Sequence, residues 1–324
     1  MNALRDTHCI VLAAALLACA AAQAAGYPDR PVRFMVPFPP AGSSSLVSRQ
    51  LAQKFSERFG HPFVVDNRTG AAGIIAHEIT ARAAPDGHTL MLSGKAALTM
   101  SPHMYRRLPY DPLADFTPVS LAATSGQVLV VHPALAATSV RELIALARAG
   151  PGQLGFGSGG LGTSSHISGE MFRMMTGADL LHVPYKGIAV VLVDVVAGQL
   201  QMAFADLPPS IPQVRAGRLS ALAVLGAQRA PALPEVPTMV EAGVPGYVSQ
   251  LWWAVMVPKA TPAPIVAQLN AEMARIAGLP DVNEYFRGLG LAAAHNSSAD
   301  MRDMIRTEMQ QMAQVFKAAG IVPE

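Results

Sequence analysis

Cysteine is nearly absent. The 324-residue chain has two, Cys9 and Cys19, and both fall within residues 1–24. Beyond them there is no disulfide, thiol nucleophile or thiolate metal ligand, so the core alone must hold the fold. Charge is also scarce: 14% of residues are charged, and the formal net charge is +2. So near-neutral a balance argues against nucleic acid as a partner, which would need a strong basic stripe. The histidines show no H-x-x-x-H or H-x-H spacing, so neither a metal nor any other cofactor is expected. Past residue 24, no apolar run free of proline, glycine and charge reaches the roughly 20 residues of a membrane span.

Hydrophobic residues, at 51%, are plentiful. They begin with an uncharged run, Cys9 to Ala22, that follows Arg5 and ends in Ala22-Gln23-Ala24. A basic start, an apolar stretch and an A-x-A site make a three-part export signal, here residues 1–24. The mature protein is therefore expected in the periplasm. Leu16-Leu17-Ala18-Cys19 is a loose lipoprotein box, which leaves lipid anchoring through Cys19 as an alternative. The remaining 300 residues suit two medium domains.

Strand and helix alternate along those residues. Pro31–Pro37 reads as a strand, Leu46–Phe59 as an amphipathic helix and Phe63–Asp66 as a second strand. A helix opening at Gly70–Gly73 and a strand at Thr89–Ser93 follow, an order that implies a parallel sheet. The pattern restarts with strand Leu121–Val131 and runs through helix Val140–Ala149, strand Gln153–Ser158 and helix Ser165–Met175 to strand Leu219–Leu225. A proline-rich connector, strand Leu251–Val257 and helices Pro262–Ala277 and Ser298–Ala319 close the chain. The expected fold is α/β in two lobes: residues 25–124 plus 226–324, and residues 125–225. No long linker marks the boundary, as short hinge strands would leave none.

Two loops join a strand to a helix start. The first is Pro37-Phe38-Pro39-Pro40-Ala41-Gly42-Ser43-Ser44-Ser45 and the second Gly157-Ser158-Gly159-Gly160-Leu161-Gly162-Thr163-Ser164-Ser165-His166. Free N–H groups and the positive helix end suit an anion there; plain N-capping by serine or threonine is the other reading. Gly157, Gly159 and Gly162 satisfy G-x-G-x-x-G, but the next strand leads to Tyr185 and Lys186 rather than the acid a dinucleotide fold needs. Ser158 has Phe156, not glycine, two residues before it, so a nucleophile elbow is absent. His166 is either a ligand contact or a packed histidine, Lys186 an anion lure or a solvated lysine. Of Trp252 and Trp253 at least one belongs to the core, since neighbours on a strand face opposite sides.

The blocks YPDRPVRFMVPFPPAG, VVDNRTGAAG, PDGHTLML, LPYDPLADFTPVSL, GSGGLGTSSH, HVPYKG, LPEVPTMVEAGVPGY and W..AVMVPKATP run in order through the mature chain. In order and spacing the chain resembles the Bug/TctC family of extracytoplasmic solute receptors. The resemblance implies a two-lobed periplasmic-binding-protein architecture of type II, closing on ligand. It implies a monomeric, non-catalytic receptor for a small carboxylate (a di- or tricarboxylic acid, an acidic amino acid or an aromatic acid), serving a tripartite tricarboxylate permease or a sensor. An exported enzyme on the same scaffold is the alternative; it would need a nucleophile with base or a metal cluster, and the sequence offers neither.

The family's ligand loops fall on Phe38, Pro39, Ala41, Gly42, Ser43 and Ser44, and on Ser158, Gly160, Gly162, Thr163 and Ser164. Glycine there allows close backbone approach and the hydroxyls donate. The chain departs from the family at Ala41, Ala72 and Ala76, where glycine is usual, at Ser45, where aspartate is usual, and at Val190, where proline is usual. Asp206 follows strand Met202–Phe204, where the family lines its cleft; it either reads a ligand amine or hydroxyl or caps the next turn.

Overall fold

The computed structural model describes residues 26–318, so the expected export signal, Cys19 included, lies outside the described residues. Among the described residues no helix is long and apolar enough to cross a membrane.

Strand β1 (Val32–Val36) pairs in parallel with β2 (Phe63–Asn67) and β3 (Thr89–Gly94). Helices α1 (Ser43–Phe59) and α2 (Ile74–Ala81) make the crossovers. A wide π-type turn, Ala96–Met100, and the short helix α3 (Ser101–Met104) lead into β4 (Phe116–Val131). The second lobe then adds α4 (Val140–Ala149), β5 (Leu154–Ser158), α5 (Ser164–Thr176), β6 (Leu180–Pro184) and α6 (Ile188–Val196). It continues with β7 (Met202–Asp206), α7 (Leu207–Arg215) and β8 (Ser220–Val224). The chain returns through β9 (Gln250–Pro258), α8 (Ala263–Ala277), α9 (Pro280–Gly288), β10 (Leu291–Ala293) and α10 (Ser298–Ala318).

The strand order is β2-β1-β3-β9-β4-β7-β5-β6, with β8 and β10 also pairing with β4. Strand β4 belongs to both lobes. Its Phe116–Gly126 part pairs with β9, and its Gln127–Val131 part with β7. The second crossing lies at Ser249, whose N–H donates to Leu225 O (2.7 Å) just before Gln250 pairs with Gly126. Between the crossings, the Gln127 carboxamide oxygen accepts from Ser168 Oγ (2.8 Å) and Ser249 Oγ (3.0 Å).

Period-two alternation gives each lobe a core on both faces of its sheet. In β9, Leu251, Trp253, Val255 and Val257 join one cluster, and Trp252, Ala254 and Met256 the other. Both tryptophans are therefore core residues, on opposite faces. In β4, Leu129 and Val131 face one cluster of the second lobe, and Val128 and Val130 its counterpart.

The return to the first lobe comes later than residue 226, where the sequence reading puts it. Ala230, Leu233 and Val236 pack with Val128 and Val130, and Met239, Val244 and Tyr247 pack with Leu129 and Phe156. Proline makes the segment look like a linker, yet its apolar side chains are buried on the second lobe. Strand β4 also starts at Phe116 rather than Leu121. Pro118 lacks an N–H and reads as a break, but the ladder absorbs it in a register shift between Pro118 and Ser120. Helix α9 and strand β10 have no counterpart in the sequence reading.

Candidate functional site

Three helices begin at one cavity of about 80 Å³ between the lobes. Helix α1 starts after Gly42, α5 after Thr163 and α6 after Gly187, and none has a side-chain cap on its first turn. An uncapped start leaves N–H groups without intrahelical partners and carries the positive end of the helix dipole. The three starts therefore surround one small space with donors and partial positive charge.

Neighbouring residues fix each loop. Asn67 Nδ2 donates to Phe38 O (2.7 Å) and holds the first. His77 reinforces that side: its ring nitrogens lie 2.8 Å from Gly73 O and 2.7 Å from Ser93 Oγ, and the ring stacks on Tyr110. Burial lowers the His77 pKa to about 4. In the second loop, Gly159 N–H donates to Ser165 Oγ (2.9 Å) and Thr163 Oγ1–H to Gly160 O (2.7 Å). The loops meet across the cleft. Gly187 has φ 147°, and a Cβ on it would fall 2.8 Å from Pro39 Cδ. Tyr105 OH donates to Leu161 O (3.0 Å).

The side chains in the cavity have assigned roles. Trp253 Nε1 donates to Ser44 Oγ (3.0 Å). Indole N–H is only a donor, so Ser44 accepts there and keeps its own proton to give. Ser43 Oγ–H donates across the cleft to Asp206 Oδ2 (2.7 Å). Burial pushes the Asp206 carboxyl up to about 6, against the smaller opposite pull of the Ser43 hydrogen bond. Lys95 is the basic residue of the lining, and its Nζ lies 3.4 Å from Glu308 Oε2. Glu308 also accepts from Trp252 Nε1 at 3.1 Å.

Of the residues singled out in the sequence, Phe38, Pro39, Gly42, Ser43, Ser44, Thr163, Ser164 and Asp206 line this cavity. Ala41, Ser158, Gly160 and Gly162 do not. Ala41 is exposed and forms the left-handed turn before Gly42, with φ 71°. Ser158 is fully buried, its Oγ 2.6 Å from His182 Nε2 and bonded to Gly160. That serine–imidazole pair lies off the cavity and braces the loop. Gly160 borders a separate opening beside Ala72, and Gly162 packs near Met104 while its N–H donates to His166 Nδ1 (3.1 Å). His166 is accordingly a packed histidine, stacked on His182 with ring centroids 4.2 Å apart. Lys186 is exposed at that second opening.

The sequence reading missed Lys95 and the start of α6 at Gly187, Ile188 and Ala189; Gly159 and Ser165, inside the second loop but not among its expected ligand contacts, also line the cavity. A signal for the third helix start existed. HVPYKG ends a strand in glycine ahead of an apolar helix, the same grammar as the other two loops. Among the described residues no group of three or more histidines, cysteines, aspartates or glutamates is placed to hold a metal ion.

Residues 47–321 match the family described as "Tripartite tricarboxylate transporter family receptor". The chain belongs to this family. It is 37% identical to the protein BugT of Bordetella pertussis over 91% of this chain and 90% of that one. Its fold superposes on R. palustris Rpa4515, solved with adipate, with a TM-score of 0.89 at 38% identity, covering 92% of this chain and 100% of that one. It also superposes on MatC from Rhodopseudomonas palustris, solved with malate, with a TM-score of 0.85 at 28% identity, covering 89% and 99%. The architecture is that of a two-lobed solute receptor, and the family's receptors are periplasmic.

Proposed function

We propose that this receptor captures a small organic carboxylate between its lobes in the periplasm and presents it, as a monomer, to a permease of the tripartite tricarboxylate type or to a sensor. The observation that carries the reading is the convergence of three uncapped helix starts, from both lobes, on one cavity. Such ends bind carboxylates without cationic side chains, and the one lining lysine is already paired with Glu308. The carboxylates bound by Rpa4515 and MatC support the same class of ligand. Closure is a hinge motion about the two strand crossings at Gly126–Gln127 and Ser249–Gln250.

Thermal melts against a panel of mono-, di- and tricarboxylates test this. A cognate acid raises the melting temperature progressively with its concentration. A panel without any shift, on folded protein, refutes the reading. We further propose that residues 1–24 are removed on export, with lipid attachment at Cys19 as the competing route. Mass spectrometry of exported protein separates the two: a start at Ala25 supports cleavage, and a lipidated Cys19 overturns it.

A further inference from the structure

Asp206 stands at the junction of β7 and α7, where an acid commonly caps the following helix. It does not cap here, because its side chain makes no hydrogen bond to the first turn. The reason is chemical. The helix opens Leu207-Pro208-Pro209, so the two positions whose N–H groups a cap receives are prolines and have none to give. The carboxylate is instead turned toward the cavity. One oxygen, Oδ2, accepts from Ser43 Oγ. Among the described residues none donates to Oδ1, and Lys95, the basic residue of the lining, pairs with Glu308.

The cavity is thus asymmetric. The three helix starts and the free Ser44 proton are donors that suit a carboxylate, whereas Asp206 adds an acceptor with an unused oxygen. A ligand carrying only carboxylates satisfies the donors and sets like charge against Asp206. A ligand that also carries a hydroxyl or ammonium group satisfies both. Resting on the receptor function proposed above, we infer that Asp206 is a specificity-determining residue: its free carboxylate oxygen accepts a hydrogen bond from a hydroxyl or ammonium group of the ligand, so the site selects hydroxy- or amino-substituted carboxylic acids over their unsubstituted parents.

Matched sets test this: succinate, malate and aspartate on one skeleton, adipate, 2-hydroxyadipate and 2-aminoadipate on another, each titrated by calorimetry. A hydrogen bond to a charged acceptor makes a substituted acid roughly tenfold to a hundredfold tighter than its parent on the skeleton that fits. In Asp206→Ala that ratio falls close to one, whatever the loss of the cross-cleft bond does to the affinity of the parent acid. Ser43→Ala breaks the cross-cleft bond but keeps the carboxylate, and it retains the ratio, which separates ligand reading from lobe closure. Asp206→Asn keeps a neutral acceptor, so a preference for hydroxyl survives and a preference for ammonium is lost. If the wild type binds a parent acid as tightly as its substituted forms, or Asp206→Ala keeps the ratio, the inference falls and the receptor function stands. If none of the six acids binds folded protein, the same three-way comparison is made on the acid that the melting panel identifies, and a panel without any shift refutes both.

Discussion

Ala41 and Ala72 occupy the left-handed region, with φ 71° and 52°. Backbone turns that glycine makes without penalty are made here by alanine, which strains both sites. Relief of that strain is about 1–2 kcal/mol, and the extra freedom of glycine in the unfolded chain costs about 0.4–1 kcal/mol. Ala41→Gly, at an exposed position, is therefore expected to stabilise by roughly 0.5 kcal/mol, read from the urea midpoint. Asp206 behaves in the opposite sense to an ordinary surface acid. Its folded pKa of about 6 lies above the usual 3.8, so its contribution is present below about pH 3.8 and lost as pH rises through 6. Asp206→Asn keeps an acceptor for Ser43 without the buried charge. It should gain about 2 kcal/mol over the wild type at pH 7.5 and nothing at pH 3.5; an equal gain at both values refutes this account.

Among the elements, the helix starts show what the sequence discloses and what it withholds. The strand–glycine–helix grammar is written in consecutive residues, so the first two loops were legible at once. Their partition was not: Ser158 and Thr163 look alike in sequence, yet one is sealed against His182 and the other lines the cavity. That difference depends on β6, 24 residues away, which supplies His182. Helix α9 was missed because its apolar contribution is small, with Val282 and Phe286 its buried residues. The third helix start carries its own prediction. Gly187→Ala strains the backbone by about 1–3 kcal/mol in every conformation. Its methyl group would also fall 2.8 Å from Pro39 Cδ across the cleft. Melting temperature should drop by a few degrees and ligand dissociation constants rise at least about tenfold. A variant that melts lower but binds normally removes this helix from the site.

For the molecule as a whole, three histidines set the response to acid. Burial depresses His77, His166 and His182 to about 4 from 6.5. A depressed value means the neutral ring is favoured in the fold, so the stability it brings is present above pH 6.5 and lost as pH falls toward 4. Asp206 opposes this as a single group. Stability in urea should therefore rise with pH between 4 and 6.5, and a flat profile contradicts the buried, neutral rings. His182→Gln and His166→Gln together should reduce the slope. Strand β4 has a wider consequence. Because one strand of sixteen residues is hydrogen-bonded into both halves, neither half possesses a complete sheet of its own. Cutting the chain into its lobes would leave two raw edges, each open to pairing with strangers. Heat should accordingly melt both lobes in one calorimetric peak rather than two. A single peak would make the two lobes one thermodynamic unit, stitched where the chain crosses at Gly126–Gln127 and at Ser249–Gln250.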